Sequence, residues 1–558
     1  MFENSKTHAC LISRTGTLLF FLIVALFITG LWLPRNWGHY GNNDWDLTYM
    51  TYEIARASIV EHREWPLYNP YLAFGSDVTA NPQSVVAGIF MLPVLLFGTF
   101  YGLKVSLLLA ILLGLFGMRA LILKINPNPL IALMIAVLFC SSAYLGRHIV
   151  QAGHSNFMYF YLFPFLFSNL LNFKLHGNRF SLLIAVLILS QFITGGAPFL
   201  FIVASITLGL WLVGLLIIHK DTKMILPFVI VMLAGFGISV WKVLPVMDFW
   251  SQSPRLVNDD SSINLLVWLN ALEDNPTNTG TPHGWHEFAI GIGILLPLLI
   301  VYFHKKIIGF KIWLILFLVV LWISLGNVPD HINPWYLIHH FLPVFDGLRA
   351  PSRFGFILMF AMLIGLGICL KNENDNKLVY LILIAITFSS TLNYNSLSRN
   401  LSLTPRIDEI TPSGLAPNSV VRSDDKFNRQ FPIILNKGIL VNAYEPLHLE
   451  PVTDTLGQFI TGANLKSLSC NNIAFKMTKD TALLCLRYDK NWQTNSGQIE
   501  KTSDGLLSVT IKAGTEVDMN YYNPKIDKGL VISICSFIAF LITLVFLKRK
   551  SPLTADTK

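Results

Sequence analysis

Long apolar runs separated by short polar turns make up most of this chain. A hydrocarbon core about 30 Å thick requires about 20 apolar residues per helix. By that measure spans are predicted at roughly 18–33, 103–124, 129–148, 155–173, 180–197, 198–218, 224–247, 286–304, 309–326, 352–370, 376–394 and 528–547. The run 85–101 is also apolar, but counting it as a crossing would flip every later loop. It is read as a re-entrant or interfacial segment, which leaves an α-helical polytopic membrane protein of about twelve transmembrane helices.

The basic residues orient these spans. Lys6 and Arg14, Arg119 and Lys124, Lys174 and Arg179, Lys220 and Lys223, Lys305 and Lys306, Lys371 and Lys377, and Lys548-Arg549-Lys550 all fall on one side of the alternation. Such residues stay cytoplasmic, so both termini are expected inside. Composition agrees: 53% of residues are hydrophobic and 13% are charged, against about 25% charged in soluble domains. The net charge of +8 sits in loops between spans, which argues against nucleic acid as a partner.

The outer face then collects the polar loops: 36–84, the 148–154 turn, Gly195-Gly196-Ala197-Pro198, 248–285, 327–351 and 395–525. In the last of these, Leu507, Val509 and Ile511 alternate with polar residues, Ala513-Gly514 turns the chain, and Val517, Met519 and Tyr521 alternate back. That pattern predicts a β-hairpin. The chain is therefore divided into a transmembrane domain over 1–394, a small β-rich extracytoplasmic domain over 395–525, and a final helix with a basic tail over 526–558. Cys470 and Cys485 lie in the β-rich part; a disulfide and two buried thiols are both open there.

Candidate chemistry concentrates in the loop 36–84, which holds Asn43-Asp44-Trp45-Asp46. From Asp46 onward, Leu47, Met50, Ile54 and Ala57 recur at helical spacing, with Glu53, Arg56 and Glu61 on other faces. This predicts an amphipathic helix lying on the membrane, with Asp46 as its N-cap. Asp44 lies just ahead of it. A partly desolvated carboxylate there can take a proton from an attacking hydroxyl, although Asp-x-Asp is common by chance and a solvated loop acid is the plainer reading.

Trp65-Pro66-Leu67-Tyr68-Asn69-Pro70-Tyr71 and Asn81-Pro82-Gln83-Ser84 make rigid, extended stretches. Their aromatics suit sugar stacking or the membrane interface equally. Substrate contacts are assigned to Trp45, Glu53, Arg56, Trp65, Tyr68, Asn69, Asn81 and Gln83, together with His286 and Glu287. Arg349 and Arg353 bracket Ala350-Pro351-Ser352 at a helix start, which suits a phosphate. Lys242, inside a predicted span, is a further candidate for phosphate; snorkelling or pairing with Asp248 are its alternatives. His154 and Arg147 flank an outer turn, and His154 joins the phosphate-binding candidates. Pro282-His283-Gly284-Trp285-His286-Glu287 offers metal-ligating types, but its i, i+3 histidine spacing is not that of zincins, and capping at a helix start explains most of it.

Taken in order, Asp44-Trp45-Asp46, Pro66-Leu67-Tyr68-Asn69-Pro70-Tyr71, Ala80-Asn81-Pro82-Gln83-Ser84, Gly153-His154-Ser155-Asn156, His286-Glu287, Leu348-Arg349-Ala350-Pro351-Ser352-Arg353-Phe354 and Ala443-Tyr444-Glu445-Pro446-Leu447 form a pattern. With the tail Asn491-Trp492, Ala513-Gly514 and Tyr522-Asn523-Pro524, it resembles the YfhO-type bacterial membrane proteins of the GT-C glycosyltransferase superfamily over nearly the whole chain. The resemblance implies a GT-C-like bundle in the bacterial inner membrane with its site facing outward. It implies a polyprenyl-phosphate-linked sugar donor and an envelope glycan or glycolipid acceptor, such as teichoic acid or lipopolysaccharide. By position, Asp44 is the general base or metal ligand and Asp46 is second. No cofactor is certain, and a divalent metal is left open. Gly195-Gly196-Ala197-Pro198 departs from the family's Gly-Gly-His-Pro, and the outer domain is smaller than in many such chains. A polysaccharide polymerase or lipid-linked sugar transporter is the runner-up, and a non-catalytic envelope assembly factor is third.

Overall fold

The computed structural model describes residues 14–72, 74–252, 262–276, 284–326, 333–341, 348, 350–371, 377–410, 417–421, 430–440 and 458–547. Within them run α1 (Arg14–Thr29), α2 (Trp45–Val60), α3 (Met91–Phe97), α4 (Thr99–Ile125), α5 (Pro129–Gln151), α6 (Phe163–His176), α7 (Arg179–Thr194) and α8 (Pro198–His219). They continue as α9 (Thr222–Ile238), α10 (Val240–Trp250), α11 (Leu265–Leu272), α12 (Leu295–Tyr302), α13 (Phe310–Ser324), α14 (Pro351–Cys369), α15 (Lys377–Asn400) and α16 (Pro524–Phe546).

The chain is a multi-pass membrane protein. Among the described residues, α4, α5, α8, α14, α15 and α16 are long and apolar enough to cross a bilayer; α9 with α10, bent by 65°, adds a seventh if the two are one span. An apolar helix stands at each of the other predicted crossings, but each is short. The physical reasons are local. At 155–173 a 3-10 turn, Ser155–Leu162, precedes α6. At 286–304, Gly291 and Gly293 take positive φ of 62° and 77°, which leaves eight residues to α12. The seven residues of α3 reach about 10 Å, too little for a crossing, and Leu92, Leu96 and Phe97 are exposed along it.

Helix ends near basic residues come together. Lys174 pairs with Asp221 at 3.0 Å, and Arg179 Nη1 donates to the Val545 carbonyl at the end of α16.

The β-rich part exists as two four-stranded sheets. Short pairs come first: β1 (Tyr68–Asn69) with β2 (Ser76–Asp77), and β3 (Val420–Val421) with β4 (Ile439–Leu440). Then follow β5 (Ile460–Thr461), β6 (Ala463–Leu468), β7 (Asn472–Met477), β8 (Thr481–Arg487), β9 (Trp492–Thr494), β10 (Gln498–Lys501), β11 (Leu506–Thr510) and β12 (Glu516–Tyr521). The sheets read β10-β11-β8-β5 and β6-β7-β12-β9. The predicted hairpin is therefore corrected. Both strands form, but β11 pairs with β8 and β10 while β12 pairs with β7 and β9. Alternation fixes which face of a strand is buried and is silent about its neighbour.

The early loop is built into this domain. Tyr68 and Phe74 share its core, and the Tyr68 ring lies 5.2 Å from Trp492 and 4.7 Å from Tyr521. The Tyr521 hydroxyl donates to Asp77 at 2.6 Å and lies 3.1 Å from Asp489. Lys525, at the start of α16, pairs with Asp248 on α10 at 2.8 Å. Cys470 and Cys485 are both buried free thiols.

Candidate active site

Helix α2 begins two residues earlier than the sequence suggests. Its N-cap is Asp44, whose carboxylate makes no cap bond. That leaves Oδ2 to meet His154 Nε2 at 3.1 Å. Asp46, expected at the N-cap, is instead buried in the first turn, where it accepts from the Tyr40 hydroxyl and from the backbone N–H groups of Gln430 and Phe431. Ten of the sixteen residues of α2 are buried, so this helix is enclosed by protein where an interfacial helix was expected.

The start of α2 is stapled to the end of α5 and the two residues that follow it. Asp44 N donates to the Ala152 carbonyl, Asn43 Nδ2 to Gln151, Trp45 Nε1 to Val150 and Thr48 Oγ1 to Gly153, all at 2.7–2.9 Å. Gly153 has φ +82°, and a Cβ there would collide with Trp45 N and the Asp44 carbonyl carbon. Only glycine permits this approach. The chain reaches it through a π turn, Gly146–Gln151, a feature that recurs at functional sites.

Three more side chains converge on His154. His148 Nδ1 lies 3.2 Å from His154 Nδ1, and the His286 ring is 5.2 Å away, edge-on. Glu287 Oε1 lies 3.8 Å from His286 Nε2. Glu287 in turn accepts from Arg353 Nε at 2.7 Å and Nη2 at 2.5 Å. The pair is buried on its acid side, with the Glu287 side chain 2% exposed. Asp44 and His154 keep 21% and 14% of their side-chain surface, so the cluster opens at that end. Beneath it, Asp274 accepts Arg147 Nε and Nη2 at 2.7 and 2.9 Å, Trp285 Nε1 at 2.8 Å and Asn393 Nδ2 at 2.7 Å. This one carboxylate locks α5, the 3-10 turn Trp285–Glu287 and α15 together.

His154, His286 and Glu287 bring their ligand atoms within 4.8 Å of one another. Two imidazoles and a carboxylate suit a borderline divalent ion. Here, however, both Glu287 oxygens already hold Arg353, and its fixed positive charge opposes a second cation. The set as built does not fit a metal.

The remaining sequence candidates stand elsewhere. Glu53 and Arg56 pair at 2.6 Å, and Glu53 accepts from Thr99 Oγ1 at the start of α4. Trp45 is buried against Tyr49. Trp65 stacks edge-on with Trp241 and donates to Thr79, and Asn69 Oδ1 accepts from Tyr71 N inside the β1–β2 turn. Asn81 Oδ1 accepts from Gln83 N, and the Gln83 side chain is exposed. Lys242 is buried and donates to the carbonyls of Ser84, at 2.5 Å, and Thr194, at 3.3 Å. Arg349 and the Ala443–Leu447 motif lie outside the described residues. Sequence reasoning missed His148 and Asp274. The only signal was a second histidine six positions before His154; Asp274 reads as an ordinary loop acid.

A polytopic helical bundle with an added β-sandwich and a buried acid–imidazole–guanidinium cluster is the class of protein these features define. Among solved structures, this chain is similar to the mycobacterial arabinofuranosyltransferase AftD, with a TM-score of 0.50 and 13% identity over 90% of this chain and 40% of that one. It thus spans well under half the length of that relative. ArnT from Cupriavidus metallidurans, bound to undecaprenyl phosphate, overlaps at 0.47 with 12% identity over 77% of this chain and 86% of its own. The Archaeoglobus fulgidus oligosaccharyltransferase overlaps at 0.44 with 12% identity over 78% and 65%. The likeness to AftD shows a shared fold. No family model and no curated protein matches the sequence.

Proposed function

We propose that this protein is a membrane glycosyltransferase that moves a sugar from a polyprenyl-phosphate-linked donor to an acceptor hydroxyl on an extracytoplasmic glycan or glycolipid. The carrying observation is the meeting of Asp44, His154, His286, Glu287 and Arg353 in one partly open cluster. Its fold, shared with a named glycosyltransferase, supports the same reading.

The acceptor hydroxyl attacks the anomeric carbon as the bond to the lipid phosphate breaks. The hydroxyl proton goes to Asp44, whose Oδ2 is held by His154, leaving Oδ1 as the base. The departing polyprenyl phosphate carries its negative charge away, so it needs cations more than an acid. Glu287 occupies Nε and Nη2 of Arg353, and the Nη1 side serves a phosphate oxygen. The YfhO-type subtype, the inner-membrane location, cytoplasmic termini and an outward-facing site belong to the same proposal.

The test uses the full chain in liposomes, supplied with polyprenyl-phosphate sugars and envelope acceptors, and mass spectrometry of the products. Transfer of one sugar, lost in Asp44→Asn, is the expected result. Chain growth without single-sugar transfer, or movement of donor between leaflets without transfer, overturns the proposal.

A further inference from the structure

We propose that His148 is a positioning residue: it donates from Nδ1 to His154 Nδ1 and thereby fixes the tautomer in which His154 Nε2–H holds Asp44. The inference rests on the reading of Asp44 as the base, and it follows from a proton count along three side chains.

An ionised Asp44 can only accept, so His154, 3.1 Å from its Oδ2, presents Nε2–H. A neutral imidazole with its proton on Nε2 has a bare Nδ1. The atom facing that nitrogen is His148 Nδ1 at 3.2 Å, which must then carry its proton. His148 is left with a bare Nε2, and that atom is buried with no hydrogen-bond partner among the described residues. An unmet buried acceptor is better tolerated than an unmet N–H. The reverse assignment buries a partnerless N–H and turns a bare nitrogen toward a carboxylate. One assignment alone leaves no donor stranded.

The fold holds His148 in this role. It lies in the π turn, fully buried, with its ring stacked on Phe157 at 4.0 Å. His154 N also donates to the His148 carbonyl at 3.0 Å, so backbone and side chain tie the two residues together. The groups facing the His148 ring are His154, His286, Tyr144, Glu287 and Arg353. His148 touches neither donor nor acceptor; it acts through His154.

Two substitutions separate positioning from packing. His148→Asn keeps a donor close to the place of Nδ1 but loses the ring. His148→Phe keeps the ring on Phe157 but loses the donor. The expected result, in the full chain in liposomes, is a kcat lowered about 10–100-fold in His148→Phe at unchanged donor KM, with His148→Asn within about threefold of wild type. Packing predicts the opposite order, with Asn worse than Phe, and that order overturns the proposal. A second readout needs no turnover: imidazole 15N NMR of the same protein, with His154 assigned by its loss in His154→Gln. Wild type shows protonated Nε2 and bare Nδ1 on His154; in His148→Phe, where Asp44 alone still favours that tautomer, the population shifts measurably toward Nδ1–H. An unchanged His154 spectrum in His148→Phe also overturns the proposal. Absence of transfer by wild type beside the expected spectra would fault the glycosyl-transfer reading and leave the tautomer assignment standing.

Discussion

Arg353 closes on Glu287 through two parallel N–H···O bonds of 2.7 and 2.5 Å, joining residues from the start of α14 and the 3-10 turn before α12. Removing one charge from such a pair leaves the other buried and unmet, which typically costs about 3–5 kcal/mol. Glu287→Gln is therefore expected to lower the unfolding temperature of the detergent-solubilised protein sharply. The double variant Glu287→Gln with Arg353→Met recovers much of the loss. A single variant as stable as wild type would mean the pair is solvated.

Asp44→Asn keeps the shape of the α2 start and its backbone bonds but removes the base. Transfer is expected to fall by about 10²–10⁴ with thermal stability near that of wild type. Because Arg353 already occupies Glu287, treatment with EDTA is expected to leave wild-type transfer intact. Loss on chelation, restored by a divalent ion, would show that His154 and His286 recruit metal when substrate is bound.

Gly153→Ala tests whether the backbone approach matters. The new Cβ meets Trp45 N and forces the His154 turn away from Asp44, and a non-glycine residue at this φ adds about 1–3 kcal/mol of strain. Both stability and transfer are expected to drop. Alanine tolerated in both assays would show that the two segments adjust freely.

Asp77 gives a pH dependence with a definite sign. Burial is the largest cause that pushes its carboxyl up to about 7; the Tyr521 hydroxyl bond opposes the rise, and Asp489 and Asp248 add to it. A carboxyl raised in the folded state binds its proton more tightly there than in the unfolded chain. Its stabilising effect is whole below the unfolded value and is lost as pH rises through the folded one. The β-sandwich is thus expected to be held more firmly at pH 5 than at pH 8, measured by hydrogen exchange of β8 and β12. Asp77→Asn should flatten that dependence.

Among the described residues, the apolar runs located each helix long and apolar enough to cross a bilayer, because burial in lipid demands unbroken hydrophobic runs whatever the partners. They overstated how many are long, since nothing in 286–304 announces that Gly291 and Gly293 break the helix. Asp44, His154, His286, Glu287 and Arg353 were all visible as polar residues of the loops and helix starts between apolar runs. Their grouping was not. Asp44 meets His154 across 110 positions, and the glycine that permits it looks like any turn residue. Tyr68 illustrates the opposite error: an aromatic in a polar loop reads as a sugar platform until the β-sandwich that encloses it is known. Lys242, conspicuous as a charge in a span, spends its donors on two carbonyls.

Tyr68 and Phe74 complete a sandwich whose strands are encoded some 400 positions downstream. During synthesis the segment carrying Asp44 leaves the ribosome long before Trp492 or Tyr521 has been made. Until then it holds bare aromatic rings with no cavity to receive them. The outer architecture is therefore finished only after β12 has been made, and a nascent chain stalled before β12 would display those rings to whatever quality-control machinery patrols the membrane.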